Sequence, residues 1–123
     1  MRKTNNRSPQ QSSQIIEEKN KLMGILSSFF GLKSVDYLTL VEQGALIVDV
    51  RSAQEFAAGH IEGSINIPLG EINAKTDMLL KKGKPVITCC RSGARSGLAE
   101  SMLRTAGINA YNGGAWESLL QKI

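Results

Sequence analysis

The chain contains 123 residues, of which 41% are hydrophobic and 12 are glycine, and its net charge is +4. This length and composition are typical of one globular domain and not of a disordered protein. Two adjacent cysteines and a single histidine exclude a disulfide-stapled scaffold and a His-rich metal site. No run reaches the ~18 apolar residues of a membrane-spanning helix.

The N-terminal part of the chain carries most of the excess positive charge. Residues 1–21 hold five Lys or Arg and two Glu, whereas the remaining 102 residues hold ten basic and nine acidic side chains. Nucleic-acid binding proteins usually carry their basic residues on the folded domain, interleaved with aromatic residues, so we expect no nucleic-acid partner. We predict that residues 1–22 form a disordered or helical extension, because this mostly polar segment has little apolar surface to bury.

An amphipathic helix is predicted over residues 23–33, where apolar residues recur at helical spacing. The simplest interpretation is that its apolar side packs on the domain, and the alternative is contact with a membrane surface or a partner. Met23 is a candidate natural start, in which case Gly24 would begin a myristoylation pattern. Because the sequence shows neither a signal-peptide pattern nor a disulfide framework, we expect a cytoplasmic protein with no stable membrane insertion.

From residue 34 onward, helix and strand patterns alternate, and residues 34–123 are predicted to form one domain. Short apolar runs between turn residues indicate buried strands, whereas helical periodicity with capping residues indicates helices. Predicted strands cover residues 45–50, 65–68, 85–89 and 108–111. Predicted helices cover residues 37–43, 72–82, 96–106 and 116–123, and a further short helix runs from the Ser52–Glu55 capping box to Gly59. Asp36 precedes the first of these helices, and Leu98 is expected on the apolar side of the helix 96–106. This order predicts a three-layer α/β/α sandwich with a mostly parallel sheet.

A candidate active-site loop follows the predicted strand 85–89. Cys90 comes at the carboxyl end of this strand, where open α/β sheets bind ligands, and residues 91–96 lead into a helix. Backbone N–H groups of such a loop, together with the helix N-terminus, can hold an anion and lower the pKa of a cysteine thiol. Gly93 provides the backbone freedom that the turn needs, and Arg91 and Arg95 add positive charge. These residues predict a nucleophilic cysteine in an anion-binding loop.

The neighbours of Cys90 allow more than one interpretation. Cys89 lies within the apolar strand, and we interpret it as structural. Arg91 either contributes to the anion site or is an exposed surface charge. Arg95 either contributes to the site or forms an ion pair with Asp49 or Glu55 that fixes the shape of the loop without contacting the anion.

Four motifs, in this order along residues 34–123, resemble those of the rhodanese family. They are residues 47–52 with 55–56, residues 59–61 with 63–68, the loop 90–96, and residues 113–116. The resemblance implies a parallel sheet of about five strands between two layers of helices, and a persulfide on Cys90. It further implies an anion-binding loop whose backbone amides belong to Arg91, Ser92, Gly93, Ala94 and Arg95. Asp49, Arg51 and Glu55 are expected to support the neighbouring loops.

The function that the resemblance implies is sulfur transfer. The expected enzyme is a rhodanese-type thiosulfate sulfurtransferase, which takes sulfane sulfur from thiosulfate or a persulfide and passes it to a thiol or cyanide without a metal or organic cofactor. One alternative is a persulfide relay or binding module for a protein thiol partner. Another is a cysteine phosphatase or arsenate reductase on the same fold. We disfavour it because such enzymes place five residues between cysteine and arginine, and here four separate Cys90 from Arg95.

Overall fold

The computed structural model describes residues 34–123, which form one sheet with helices on both faces. Within this range the strands are β1 (Leu46–Asp49), β2 (Ile65–Asn66), β3 (Val86–Cys90) and β4 (Ala110–Ala115). The helices are α1 (Tyr37–Glu42), α2 (Ala53–Ala58), α3 (Ile72–Lys82), α4 (Ala94–Thr105) and α5 (Trp116–Leu120), and a 3-10 turn at Leu69–Glu71 precedes α3.

All strand pairs of the sheet are parallel, in the spatial order β2-β1-β3-β4. Parallel strands need crossover connections, and the helices between the strands supply them. Asp49 at the end of β1 lies beside Cys89 of β3, so the carboxyl ends of the two central strands meet at one edge of the sheet. Open α/β sheets bind their ligands at this edge.

The central strands are covered on both faces, so their side chains alternate between two apolar layers. The layer under α3 and α4 contains Val48, Val50, Ile72, Leu79, Val86, Cys90, Ala99 and Leu103. The layer under α1 and α5 contains Ile47, Ile61, Ile87, Cys89 and Leu119. This arrangement confirms the predicted α/β sandwich with a parallel sheet.

Hydrogen bonds and backbone angles at the helix ends confirm three of the predicted boundaries. The Asp36 carboxylate accepts the Thr39 N–H at 3.0 Å at the start of α1. Ser52 and Glu55 form both hydrogen bonds of a capping box before α2. Gly83 ends α3 with φ +64°, in the left-handed region that glycine adopts without strain.

Two predictions about the sheet are wrong. Residues 34–123 contain four strands rather than about five, because every described segment outside these four is helix, turn or loop. In addition, β4 continues through Gly113 and Gly114 to Ala115, whereas the predicted strand ended at residue 111. Consecutive glycines usually indicate the end of a strand, but here Gly113 allows β4 to approach β3. A Cβ on Gly113 would lie 2.8 Å from the Thr88 carbonyl oxygen.

The predicted apolar side of the fourth helix is also wrong in one position. Leu98 is 59% exposed, and the buried side of α4 is formed by Ser96, Ala99 and Leu103. The helix begins at Ala94, two residues before the predicted start. The buried side of α4 therefore includes a polar residue, Ser96, whereas apolar periodicity alone placed Leu98 on that side.

The predicted extension 1–22 and the predicted amphipathic helix 23–33 lie outside the described residues. Within residues 34–123, no helix has both the length and the apolar composition that crossing a membrane requires.

Candidate active site

Strand β3 ends at the two cysteines, and the alternation of its side chains sends them to opposite faces of the sheet. Cys90 belongs to the apolar layer under α3 and α4, and Cys89 to the layer under α1 and α5. Both cysteines are free and fully buried. The two thiols therefore have separate surroundings although they are neighbours in the chain.

The Cys90 sulfur is surrounded by hydrogen-bond donors from the loop that follows it. The Gly93 N–H donates to Sγ at 3.0 Å and the Ser96 N–H at 3.4 Å, and the Ser96 hydroxyl oxygen lies 3.3 Å away. Burial by itself raises the pKa of the Cys90 thiol. The hydrogen bonds from Ser96, Gly93 and Ser92 together outweigh burial, so the pKa of Cys90 lies below its ordinary value. The loop thus favours a thiolate at Cys90.

The Cys89 thiol has the opposite character. Burial, reinforced by the nearby Asp49 carboxylate, raises the pKa of Cys89 to about 12. A thiol with this pKa stays protonated at neutral pH and is a poor nucleophile.

The loop backbone depends on glycine at its centre. Gly93 has φ +101° and precedes the 12-residue helix α4, whose N-terminus adds positive potential near the sulfur. A Cβ on Gly93 would lie 3.3 Å from the Cα of Gly114, so the loop also packs against the end of β4. Arg91, Ser92 and Ala94 are exposed around this turn.

Arg95 is paired with Glu55, one of the two partners that the sequence left open. Its Nη1 donates to Glu55 Oε1 at 2.7 Å and its Nη2 to Oε2 at 3.1 Å. The Arg95 guanidinium, followed by the Ser52 backbone N–H, lowers the pKa of Glu55 to about 2. Glu55 therefore caps α2 and also holds the first turn of α4.

Asp49 and Arg51 form a buried ion pair at the end of β1. The shortest bond of the pair joins Arg51 Nη2 and Asp49 Oδ2 at 2.7 Å, and the side chains are 6% and 0% exposed. Arg51 also donates to the Gly59 carbonyl oxygen at 2.7 Å and lies over the Trp116 ring at 4.9 Å. These contacts join the segments before and after α2 to α5, beside the loop of Cys90.

Two residues near the sulfur were not predicted as site residues. Ser96 is fully buried, and its hydroxyl donates to the Asn112 side-chain oxygen at 2.7 Å. Asn112 in turn donates to the Gly93 carbonyl oxygen at 3.1 Å. The sequence signals available were a polar residue on the buried side of a helix and an asparagine directly before two glycines.

Residues 34–123 contain no cluster of three or more metal-ligating side chains. The chemistry that these residues can support is that of a low-pKa thiol that accepts hydrogen bonds from backbone N–H groups and lies beside the Ser96 hydroxyl. Such a site suits nucleophilic attack by sulfur and the binding of negative charge at the sulfur.

Comparison with known proteins shows matches to one domain family. The sequence model of the rhodanese-like domain matches residues 35–118. A tRNA sulfurtransferase of Thermoplasma acidophilum is 38% identical over 71 residues, which are 58% of this chain and 14% of that protein. The thiosulfate sulfurtransferase GlpE of Pseudomonas savastanoi is 36% identical over 73 residues, covering 57% of this chain and 65% of the relative. The matched segment thus spans less than two thirds of each of these relatives.

Among solved structures, a rhodanese-related protein of Thermoplasma volcanium superposes with a TM-score of 0.60 at 30% identity. The superposition covers 73% of this chain and 92% of that protein. An Escherichia coli structure described as rhodanese with anions gives a TM-score of 0.57 at 28% identity, covering 61% of this chain and 91% of the other.

Proposed function

This chain belongs to the rhodanese-like domain family, and from that premise we propose that it transfers sulfane sulfur through a persulfide on Cys90. The donor is thiosulfate or a persulfide, and the acceptor is a thiol, with cyanide as its laboratory substitute. The observation that carries the proposal is the set of donors on one sulfur: the N–H groups of Gly93 and Ser96 both point to Cys90 Sγ.

In the first half-reaction, the Cys90 thiolate attacks the outer sulfur of thiosulfate. A bond forms between Cys90 Sγ and that sulfur while the sulfur–sulfur bond of thiosulfate breaks, and its electron pair leaves with sulfite. The product is a Cys90 persulfide, and no external oxidant or reductant is needed. The exposed Arg91 and the positive end of α4 favour the approach of the anionic donor.

In the second half-reaction, an acceptor thiolate attacks the terminal sulfur of the persulfide. The bond from that sulfur to Cys90 Sγ breaks, and its electron pair returns to Sγ, which becomes a thiolate again. Cys90 is the leaving group in this step, so the donors that lower its thiol pKa also make it leave more readily. The same hydrogen bonds therefore assist both halves of the cycle.

A relay to a protein thiol is a second candidate function. One relative, of Bacillus subtilis, is named a putative sulfur carrier protein, which supports passing sulfur onward to a partner. The relay uses the same Cys90 persulfide and differs from the thiosulfate enzyme only in the acceptor.

The proposal is tested by intact mass spectrometry after incubation with thiosulfate. We expect the wild type to gain one sulfur atom and to lose it on addition of cyanide or dithiothreitol. Cys90→Ser should gain none, and Cys89→Ala should gain one as the wild type does. Labelling of Cys89 instead of Cys90, or no labelling of a folded wild-type protein by thiosulfate or a small persulfide, would contradict the proposal.

A further inference from the structure

Asn112 of β4 contacts the Cys90 loop through both polar atoms of its side-chain amide. Its Oδ1 accepts the Ser96 hydroxyl at 2.7 Å and the Gly114 N–H at 2.9 Å, and its Nδ2 donates to the Gly93 carbonyl oxygen at 3.1 Å. These partners fix the orientation of the amide, because the backbone N–H of Gly114 can only donate and the Gly93 carbonyl oxygen can only accept. The oxygen of Asn112 therefore faces Ser96.

The Ser96 hydroxyl has a single proton, and this proton has two acceptors within reach. An amide oxygen cannot donate, so the bond between Ser96 and Asn112 places the proton on the Asn112 side. The Ser96 oxygen, 3.3 Å from Cys90 Sγ, is then free to accept the S–H of a neutral thiol. At the Ser96 hydroxyl alone, the arrangement in the structure thus suits protonated Cys90, whereas the N–H groups of Gly93 and Ser96 favour the thiolate.

Ionised Cys90 requires a different arrangement of the same atoms. The thiol proton leaves to solvent, and the sulfur can then only accept hydrogen bonds. Ser96 stabilises the thiolate if its hydroxyl turns from Asn112 to the sulfur. Asn112 Oδ1 still accepts the Gly114 N–H after this turn, so neither oxygen nor sulfur is left without a donor.

We propose that Asn112 is a positioning residue that competes with the Cys90 sulfur for the Ser96 hydroxyl proton, and so sets how readily Cys90 ionises. The inference rests on the proposed function, since it takes Cys90 as the nucleophile. The proposal does not depend on the hydrogen bond from Asn112 to Gly93, because the Gly93 carbonyl oxygen also accepts the Gly97 N–H at 3.0 Å. The bond to Ser96 is the one that couples Asn112 to the sulfur.

The proposal predicts opposite effects for two substitutions of Asn112. Asn112→Leu removes the competing acceptor and leaves the Ser96 hydroxyl to the sulfur. The midpoint of Cys90 ionisation should fall by about one pH unit, the worth of one neutral hydrogen bond. Asn112→Asp keeps the acceptor and gives it a charge, so Ser96 is held more strongly and the thiolate is repelled. The midpoint should rise by about one unit or more.

The other charged or titratable groups around Cys90 stay the same in both variants. They are Arg91 and Arg95 of the loop and α4, Glu55 bound to Arg95, the Asp49–Arg51 pair at the end of β1, and Cys89. A difference between the Leu and Asp variants therefore reports on position 112 itself.

The experiment measures the rate of alkylation of Cys90 by iodoacetamide against pH, with the modified cysteine identified by peptide mass. Asn109→Leu and Asn109→Asp are matched controls, because Asn109 is exposed and directly precedes β4, and their midpoints should equal that of the wild type. In a Ser96→Ala background, Asn112→Leu should no longer shift the midpoint. No sulfur donor is present, so the outcome is separate from the success or failure of sulfur transfer.

Shifts of the two Asn112 variants in the same direction, or a shift from Asn112→Leu that persists without the Ser96 hydroxyl, would overturn the proposal. A purely structural role would lower the unfolding temperature and leave both midpoints unchanged, which would overturn it equally. If one of the two Asn112 variants does not fold, the direction of the midpoint shift in the other variant, and the dependence of that shift on Ser96, still tests the proposal.

Discussion

The Glu55 carboxylate accepts two hydrogen bonds from the Arg95 guanidinium, at 2.7 and 3.1 Å, and thereby ties the start of α2 to the first turn of α4. The same carboxylate accepts the Ser52 N–H at 3.0 Å in the capping box. One side chain thus stabilises a helix end and supports the loop that carries Cys90.

Glu55→Gln is expected to slow sulfur transfer several-fold and to change the fold little. Glutamine can still accept from Ser52 but offers Arg95 no charge, so the loop loses its charge-assisted anchor. The measurement is the rate of thiocyanate formation from thiosulfate and cyanide. Glu62→Gln is the control, because Glu62 is exposed on a turn and its substitution should leave the rate unchanged. Equal rates for both variants would show that the anchor is dispensable.

The Glu55–Arg95 pair should also lose its contribution to stability only in acid. The pKa of Glu55 is lowered from 4.5 to about 2, so folding favours the ionised form. The contribution is complete above pH 4.5 and is lost as the pH falls toward 2. Thermal unfolding of the wild type and Glu55→Gln should differ by a constant amount from neutral pH down to about pH 5 and converge below it. A difference that already shrinks near neutral pH would contradict this assignment.

Removal of the Asp49 carboxylate is expected to destabilise the protein severely. Arg51 is 5% exposed, and Asp49→Ala would leave its guanidinium buried without a counter-charge, which costs about 3–5 kcal/mol. The free energy of unfolding in urea measures this loss. Glu100→Gln is the matched control, because its 3.5 Å pair with Arg104 lies at the surface and contributes ~0.5 kcal/mol or less. Similar losses in the two variants would contradict a special role for the buried pair.

Gly113→Ala should destabilise the domain, whereas Gly70→Ala should not. A Cβ at position 113 would lie 2.8 Å from both Ile87 Cγ2 and the Thr88 carbonyl oxygen, and backbone of the central sheet cannot move aside cheaply. Overpacking of this kind costs about 1–3 kcal/mol. Gly70 has open space around the corresponding position. Urea unfolding of both variants is the measurement, and an unchanged midpoint for Gly113→Ala would mean that β4 can shift away from β3.

Most of the fold could be predicted from the sequence because its signals are local. Apolar runs gave β1 and β3, and the cap residues Asp36 and Ser52 gave the starts of α1 and α2. The position of Cys90, at the end of a buried strand and before a glycine turn, could be predicted for the same reason.

The remaining features depend on which elements become neighbours in space. The sequence offered Glu55 and Asp49 as partners of Arg95, 40 residues from Glu55, without a choice between them, and it did not indicate the contact of Ser96 with Asn112 across 16 residues. Neither pair is set by local periodicity, because each exists only once the order of the strands places α2 and β4 beside the loop. The course of β4 through two glycines likewise depends on its close contact with β3.

The loop length should decide which anion the site can use. Four residues separate Cys90 from Arg95, one fewer than a cysteine phosphatase has, and Arg95 is held by Glu55. A shorter loop makes a tighter ring of amide donors, and hydrogen bonds weaken steeply when distance and angle depart from their optimum. A phosphate ester is therefore expected to fit poorly although its charge is attractive to the loop.

We expect the wild type to transfer sulfur from thiosulfate to cyanide and to hydrolyse an aryl phosphate negligibly. Insertion of one glycine after Ala94 enlarges the ring, moves Arg95 to the position that it has in phosphatases, and draws it away from Glu55. Sulfur transfer should fall in this variant, because the amides no longer converge on Cys90 Sγ as closely as the Gly93 N–H does at 3.0 Å. Two colorimetric assays on the two proteins, with folding checked by thermal unfolding, make the comparison. Wild-type phosphatase turnover equal to or above its sulfur-transfer turnover would contradict the assignment, because the tight loop would then be no barrier to a tetrahedral phosphate.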